Sequence, residues 1–308
     1  MENRESCKEE YMHRIHCVQD YIEKNIDEPL GLDELAEAAG FSKYHFSRIF
    51  SAITGESLAH YVLRLKLERS LFFLAHRPDL NITDIGYMAG YSDTAVYSRA
   101  FKNYFMVSPR EYRNEYSKNC KEIALLSDYN GPQKDREKDP YRFPVTTPIK
   151  LVSLKERRIL YVRHDGNYES LAAEFGRLAD FLYNEAAKYG IKGTQFELLT
   201  MYHDNPEFTD AGKFRTSLGV ELPSHIKVDE AGNVGVMTLQ AANYAVGSFD
   251  ITAKEFPDAW NFMYREWLTG SGYVPANDMP YERYKGMPDP VTGKMNVEIY
   301  VPVEPFSF

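Results

Sequence analysis

Apolar residues in the first third of the chain recur every three or four positions, the spacing of a buried helical face. Ile15, Val18 and Ile22 predict a helix over Met12 to Asn25. Ser57 to His76 runs without Pro or Gly and carries Leu58, Tyr61, Val62, Leu65, Leu71 and Leu74, predicting one long helix. A short helix is expected over Ile82 to Met88, and another after Ser92, where Val96, Ala100, Phe101 and Phe105 make one apolar face. From about Val145 the period shortens. Apolar runs predict strands at Ile159 to Arg163, Phe196 to Tyr202, Phe214 to Leu222, Val234 to Leu239, Tyr244 to Gly247, Pro280 to Tyr284 and Val297 to Val303. Helical patterns at Tyr168 to Tyr189 and about Glu255 to Trp267 interrupt them. Asn119 to Pro148 is polar, charged and turn-rich, as an exposed linker is.

The expected fold is therefore two domains: an all-α tandem helix-turn-helix domain over residues 1–118, a linker over 119–146, and an α+β domain over 147–308. The second domain is expected to be two pseudo-symmetric strand-helix-strand-strand repeats, sharing one antiparallel sheet with both helices on one side.

Punctuation marks sharpen the helical half. Gly90 is placed for a turn that needs φ > 0, and Ser92 offers its oxygen as a helix cap. Ser108-Pro109-Arg110-Glu111 reads as a capping box with Pro at the first helical position. The stretch also repeats. Ala39-Gly40-Phe41-Ser42 matches Ala89-Gly90-Tyr91-Ser92, and Ser47-Arg48-Ile49-Phe50 matches Ser98-Arg99-Ala100-Phe101. Two helix-turn-helix units follow, each with a second helix suited to the major groove of DNA. The long helix between them, about 30 Å at 1.5 Å per residue, is close to the ~34 Å between successive major-groove faces.

The sequence Phe41-Ser42-x-x-x-Phe46-x-Arg48-x-Phe50, with Gly55-x-Ser57, Ile82-x-x-Ile85-Gly86-x-x-x-Gly90-Tyr91-Ser92, Phe101-Lys102-x-x-Phe105 and Ser108-Pro109-x-x-Tyr112-Arg113, resembles the AraC/XylS family of bacterial transcription regulators over residues 12 to 116. The resemblance implies double-stranded DNA as a partner, with RNA polymerase as a second. It assigns base contacts to Tyr44, Ser47 and Arg48 in the first unit and to Thr94, Ala95 and Arg99 in the second. Arginine bonds guanine O6 and N7 in bidentate fashion, and Ala95 touches only a thymine methyl. Lys43, Lys102 and Arg113 are expected to meet phosphates.

Charge supports this placement. The chain carries 36 basic and 45 acidic residues for a net −9, which argues against an indiscriminate polyanion binder. Residues 1–41 hold 4 basic and 11 acidic side chains, whereas residues 42–118 hold 11 and 7, a local excess of 11 − 7 = 4 positive charges. Three cysteines, Cys7, Cys17 and Cys120, lack paired spacing, which fits a reducing cytoplasm. No apolar run approaches the ~20 residues that span a bilayer, the N-terminus does not read as a signal peptide, and no membrane association is expected. His13, His16 and Cys17 have metal-compatible spacing but no fourth ligand in view, so they read as polar residues of a helix. No metal and no cofactor is expected.

The second half resembles the gyrase-inhibitor-like (GyrI-like) effector-binding domain over residues 147 to 304. The likeness rests on the two repeats, on Glu266-Trp267-Leu268-x-x-Ser271-Gly272-Tyr273, on Pro280-x-Glu282-x-Tyr284 and on Val297-Glu298-Ile299-Tyr300-Val301-Pro302-Val303. It implies a small-molecule effector held between the repeats by aromatics and a buried acid. Glu282 and Glu298 are the candidate acids. Tyr161, Tyr168, Tyr284 and Tyr300, with Trp260, Tyr264 and Trp267 on the nearby helix, are the candidate aromatics. Aligning Leu160-Tyr161-Val162 with Tyr244-Ala245-Val246 sets Asp250 opposite Gly166. The effector is expected to be an aromatic or cationic compound, an unpaired carboxylate in an aromatic cavity favouring a cation. A sensor is the leading expectation; the missing Gly-x-Ser-x-Gly, His-Glu-x-x-His and phosphate-loop motifs argue against a hydrolase, and a protein-docking role for the sheet face is the other alternative.

Overall fold

A computed structural model describes residues 2–117, 146, 148–191, 197–205, 209–228, 234–286 and 288–306, without the side chains of residues 2–9, 44 and 211. The expected linker lies outside these residues except for Thr146, whose amide donates to Ser248 O at 3.0 Å.

Seven helices build the first half: α1 (Glu2–Lys24), α2 (Leu32–Ala38), α3 (Lys43–Thr54), α4 (Leu58–His76), α5 (Ile82–Met88), α6 (Thr94–Phe105) and α7 (residues 109–117). The units α2–α3 and α5–α6 each turn on a glycine with positive φ, Gly40 at 63° and Gly90 at 79°. Gly90 is doubly required, because a Cβ there would lie 2.5 Å from Ile26 O. α6 is capped by Asp93, whose carboxylate accepts from the amides of Ala95 and Val96 at 2.6 and 3.0 Å; the expected cap, Ser92, lies one residue too early. The capping box at α7 is formed, with Ser108 N donating to Glu111 at 2.8 Å and Glu111 N to Ser108 Oγ at 3.2 Å.

α4 joins two cores. Its start adds Tyr61 to the cluster of Ile15, Val18, Ile22, Leu35, Phe46 and Phe50, and its end adds Leu67, Leu71, Phe73 and Leu74 to that of Ile85, Tyr97 and Phe101. The expected single apolar stripe is replaced by a helix in which nothing from Tyr61 to Arg77 is exposed, a sign of packing on all sides.

The second half is one antiparallel sheet of β1 (Lys150–Leu154), β2 (Arg157–Asp165), β3 (Leu198–Tyr202), β4 (Arg215–Leu222), β5 (Gly235–Leu239), β6 (Ala242–Ile251), β8 (Tyr281–Tyr284) and β9 (Met295–Pro305), in the order β1-β6-β9-β8-β3-β4-β2-β5. A short β7 (Tyr273–Pro275) pairs with β9. The order is a palindrome of the two repeats about the β8–β3 seam. Each repeat opens with a strand exchanged to the other, β1 onto β6 and β5 onto β2. The edge strand β1 escapes the sequence pattern because its residues are half-buried to exposed.

Both helical segments cover one face, as expected: α8 (Tyr168–Lys188) over β2 and β4, and α9 (Phe256–Asn261), which continues through a widened π-turn at Phe262–Trp267 into α10 (Leu268–Ser271), over β6 and β9. Asn167 caps α8 and Thr252 opens the second segment, so these two positions correspond. The repeats therefore align Leu160 with Ala245, one residue from the expected register. On a strand that shift exchanges the faces.

Candidate functional site

On the helical half, α3 and α6 turn their outer faces to solvent. Arg48 and Arg99 are exposed, and neither pairs with an acid among the described residues. Ala95 and Lys102 are exposed, Ser47 and Thr94 half-buried, and Ser47 Oγ donates to Lys43 O at 3.3 Å. Lys43 is exposed and pairs with Asp33 at 3.2 Å. The side chain of Tyr44 lies outside the described residues.

Two expectations fail here. Arg113 turns inward, donating to Leu80 O at 2.7 Å with its guanidinium half-buried, and burial lowers its affinity for protons. That placement removes it from the phosphate face. Val96, expected in the core, is 45% exposed, while Tyr97 fills the core instead. Val96 thus joins Ala95 and Arg99 on the outer side of α6, an apolar surface suited to a thymine methyl. The signal was Tyr97 itself, a larger ring four residues before Phe101.

The second site forms on the helix-covered face of the sheet. Glu282 on β8 has 0% exposure. Its carboxylate accepts from Trp260 Nε1 at 2.7 Å and from the Tyr284 hydroxyl at 2.6 Å, and Tyr202 on β3 adds a third bond. Burial pushes its pKa up to about 7, only partly opposed by these neutral donors. Tyr168 packs against Tyr202 and Phe214 with centroids at 5.7 and 5.0 Å, and Trp260 stacks on Tyr264 at 6.1 Å. Glu282, Tyr168, Tyr202, Trp260, Tyr264 and Tyr284 border a cleft of about 1580 Å³ that continues between the two halves of the chain. Tyr202 was not expected here; its register opposite Pro280, two residues beyond Thr200↔Glu282 and so on the same face, is the cue.

Four expected members lie elsewhere. Glu298, Tyr300 and Tyr161 sit on the opposite face of the sheet, because strand parity turns them away from the helices while Ile299 and Leu160 face inward. Glu298 accepts from Arg283 at 2.5 and 3.0 Å, from Tyr300 at 2.8 Å and from Lys285. Burial would raise its pKa, but these donors and the Arg283 charge hold it below the usual range. Trp267 packs on Tyr273 at 6.4 Å, away from the cleft.

That opposite face receives the DNA-binding half. Asp20 of α1 accepts from Tyr161 and Arg163, and Glu23 accepts from Arg215 and, at 2.9 Å, pairs with His203. Arg215 also binds Asp204 through two nitrogens at 2.6 and 2.8 Å, and donates to Tyr61. Burial alone would raise Glu23, yet Arg215 and His203 hold its carboxyl far below its usual range. Asp20, Glu23 and His203 converge as metal ligands do. Their oxygens already face Arg163 and Arg215, and a metal ion would compete with both cations. The His13, His16 and Cys17 set divides: His13 lies 3.6 Å from Cys17, and His16 bonds Asp165 at 2.8 Å.

Residues 147–304 match the family described as GyrI-like small molecule binding domain, and residues 35–115 match a helix-turn-helix domain family. The multiple antibiotic resistance protein MarA of Escherichia coli (strain K12) is 36% identical over 102 residues, 32% of this chain and 77% of that protein. A crystal structure of a regulator with an AraC-type DNA-binding domain from Chromobacterium violaceum is 30% identical, covers 33% of this chain and 91% of its own, and has a TM-score of 0.31. A cryo-EM structure of an EcmrR–DNA complex is 14% identical over 89% of this chain and 99% of its own, with a TM-score of 0.45. No helix among the described residues is long and apolar enough to cross a membrane.

Proposed function

Since the chain belongs to the AraC family of DNA-binding transcription regulators and carries a GyrI-like small-molecule-binding domain, we propose that its cleft senses a lipophilic organic cation. One observation carries this reading: Glu282 is fully buried, and its carboxylate meets three neutral donors and, among the described residues, no cation. An ion in that setting is costly until a positive charge joins it. The rings of Trp260, Tyr264, Tyr202 and Tyr168 supply faces that attract such a charge, worth up to ~2 kcal/mol when desolvated. The reading assigns no catalytic step to the cleft.

We read residues 1–118 and 147–308 as the two working halves, joined by 119–146, with Arg48, Ser47 and Tyr44 on one groove and Arg99, Ala95, Thr94 and Val96 on the next. Lys43 and Lys102 are the phosphate partners. α4, about 28 Å long at 1.5 Å per residue, sets the distance between readers. RNA polymerase is the proposed second partner.

Titrating the full chain with tetraphenylphosphonium tests the sensor. Quenching of tryptophan fluorescence is expected in the wild type and strongly reduced in Glu282→Gln. Equal quenching in both would contradict the role given to this acid.

A further inference from the structure

The helix that separates the two DNA readers has a second side. Leu67, Leu71 and Leu74 of α4 face the core of the second unit. Leu65, Glu68, Arg69, Phe72 and His76 follow the three- and four-residue spacing of another helical face, and all five border the cleft. The DNA-binding half thus forms one wall of the space into which Glu282 looks.

Aromatic contacts make the wall continuous with the acid. Trp260, the donor to Glu282, stacks on Tyr264 with the planes 20° apart. The Tyr264 ring lies 5.9 Å from the His76 ring, and His76 lies 5.0 Å from Phe72 and 5.9 Å from Tyr116 of α7. Tyr264 stands in the π-turn, a widened turn of the kind often found at binding sites. Burial, helped by the nearby Arg265, lowers the His76 pKa to about 4, so this ring adds no positive charge against an incoming cation at neutral pH.

We propose that Phe72 and His76 of the DNA-binding domain are effector-contacting residues, so that the effector site is shared by the two halves. The proposal rests on the sensor reading of the cleft and adds its regulation. A ligand that touches α4 has unequal affinity for different placements of α4 against the C-terminal domain. When DNA also distinguishes those placements, the effector changes DNA affinity, and by linkage DNA changes effector affinity by the same factor. A site confined to the C-terminal domain lacks this direct route.

The test is calorimetric titration of tetraphenylphosphonium into the full-length wild type, His76→Ala and Phe72→Leu, each checked by thermal melting. Both variants are expected to weaken binding about fivefold or more, with a melting point close to that of the wild type. Should Phe72→Leu melt early, His76→Ala decides alone, since its ring is only half-buried. Wild-type binding with unchanged affinity in His76→Ala and Phe72→Leu would overturn the shared wall and leave the sensor standing. A wild type that binds no lipophilic cation would overturn the sensor, and the shared wall with it.

Discussion

Glu282 and Glu298 stand on adjacent strands of one sheet, and their surroundings are opposite. Glu298 is met by Arg283 and Lys285 and sits below the usual carboxylate range. Glu282 is met by a tryptophan and two tyrosines and is pushed up to about 7. The same division holds across whole faces. On the face that meets α1, Asp20, Glu23 and Asp204 are answered by Arg163 and Arg215, and the Asp20–Arg163 and Glu23–Arg215 pairs tie the DNA-binding half to the sheet. On the helix-covered face, Glu282 meets neutral donors and no cation among the described residues. A buried charge with its partner already present serves the architecture, and on the proposed reading the one without a cation serves a ligand.

Breaking the architectural side should cost most. Arg215→Ala strands Asp204 and Glu23 in a buried setting and is expected to remove about 3–5 kcal/mol of stability, read by urea unfolding. Glu23 also gives this face a pH signature. Its folded pKa is depressed, so its contribution is present above the unfolded value near 4.5 and is lost as pH falls toward the folded one. Wild-type stability should decline on acidification below about pH 4.5, and Glu23→Gln should flatten that decline.

The cleft acid should behave the other way. Its folded pKa is raised, so stability from its bound proton is present at low pH and is lost as pH rises through about 7. Glu282→Gln should then be at least as stable as the wild type at pH 8.5 while binding tetraphenylphosphonium about tenfold or more weakly, a loss of ~1.4 kcal/mol. A variant that unfolds early at pH 8.5 would make Glu282 architectural after all.

On the DNA face nothing buried is disturbed, so the effects there fall on binding and not on stability. Arg99→Ala should cost ~1–3 kcal/mol and relax preference at one base position, measured by gel shift at fixed salt. Val96→Ala should cost less, on the order of 0.8 kcal/mol per methyl-sized group removed from contact, and only on sites with thymine at the matching position.

The helical units were legible because they are local. Gly90, the repeat of Ala-Gly-aromatic-Ser and the Ser108–Glu111 box each act within a few residues. Errors arose where phase decides. Val96 and Tyr97 differ by one step around a helix, and Glu298 and Ile299 by one step along a strand, so the apolar pattern alone chose wrongly. The interface was beyond reach for another reason. Asp20 and Arg163 are 143 positions apart, and Glu23 and Arg215 are 192 apart. Neither residue carries a mark of its partner. Tyr202 was hidden similarly, since only the pairing of β3 with β8 brings it to Glu282.

The most direct measurement is tetraphenylphosphonium affinity across pH 5.5 to 8.5 in the wild type and in Glu282→Gln. Cation binding requires the ionised carboxyl, so wild-type affinity should climb as pH rises through about 7 and then level off. Glu68, also raised to about 7 and bordering the cleft, remains in both proteins, so the difference between the two curves belongs to Glu282. Parallel curves of equal affinity would contradict the cleft's dependence on its unpaired acid.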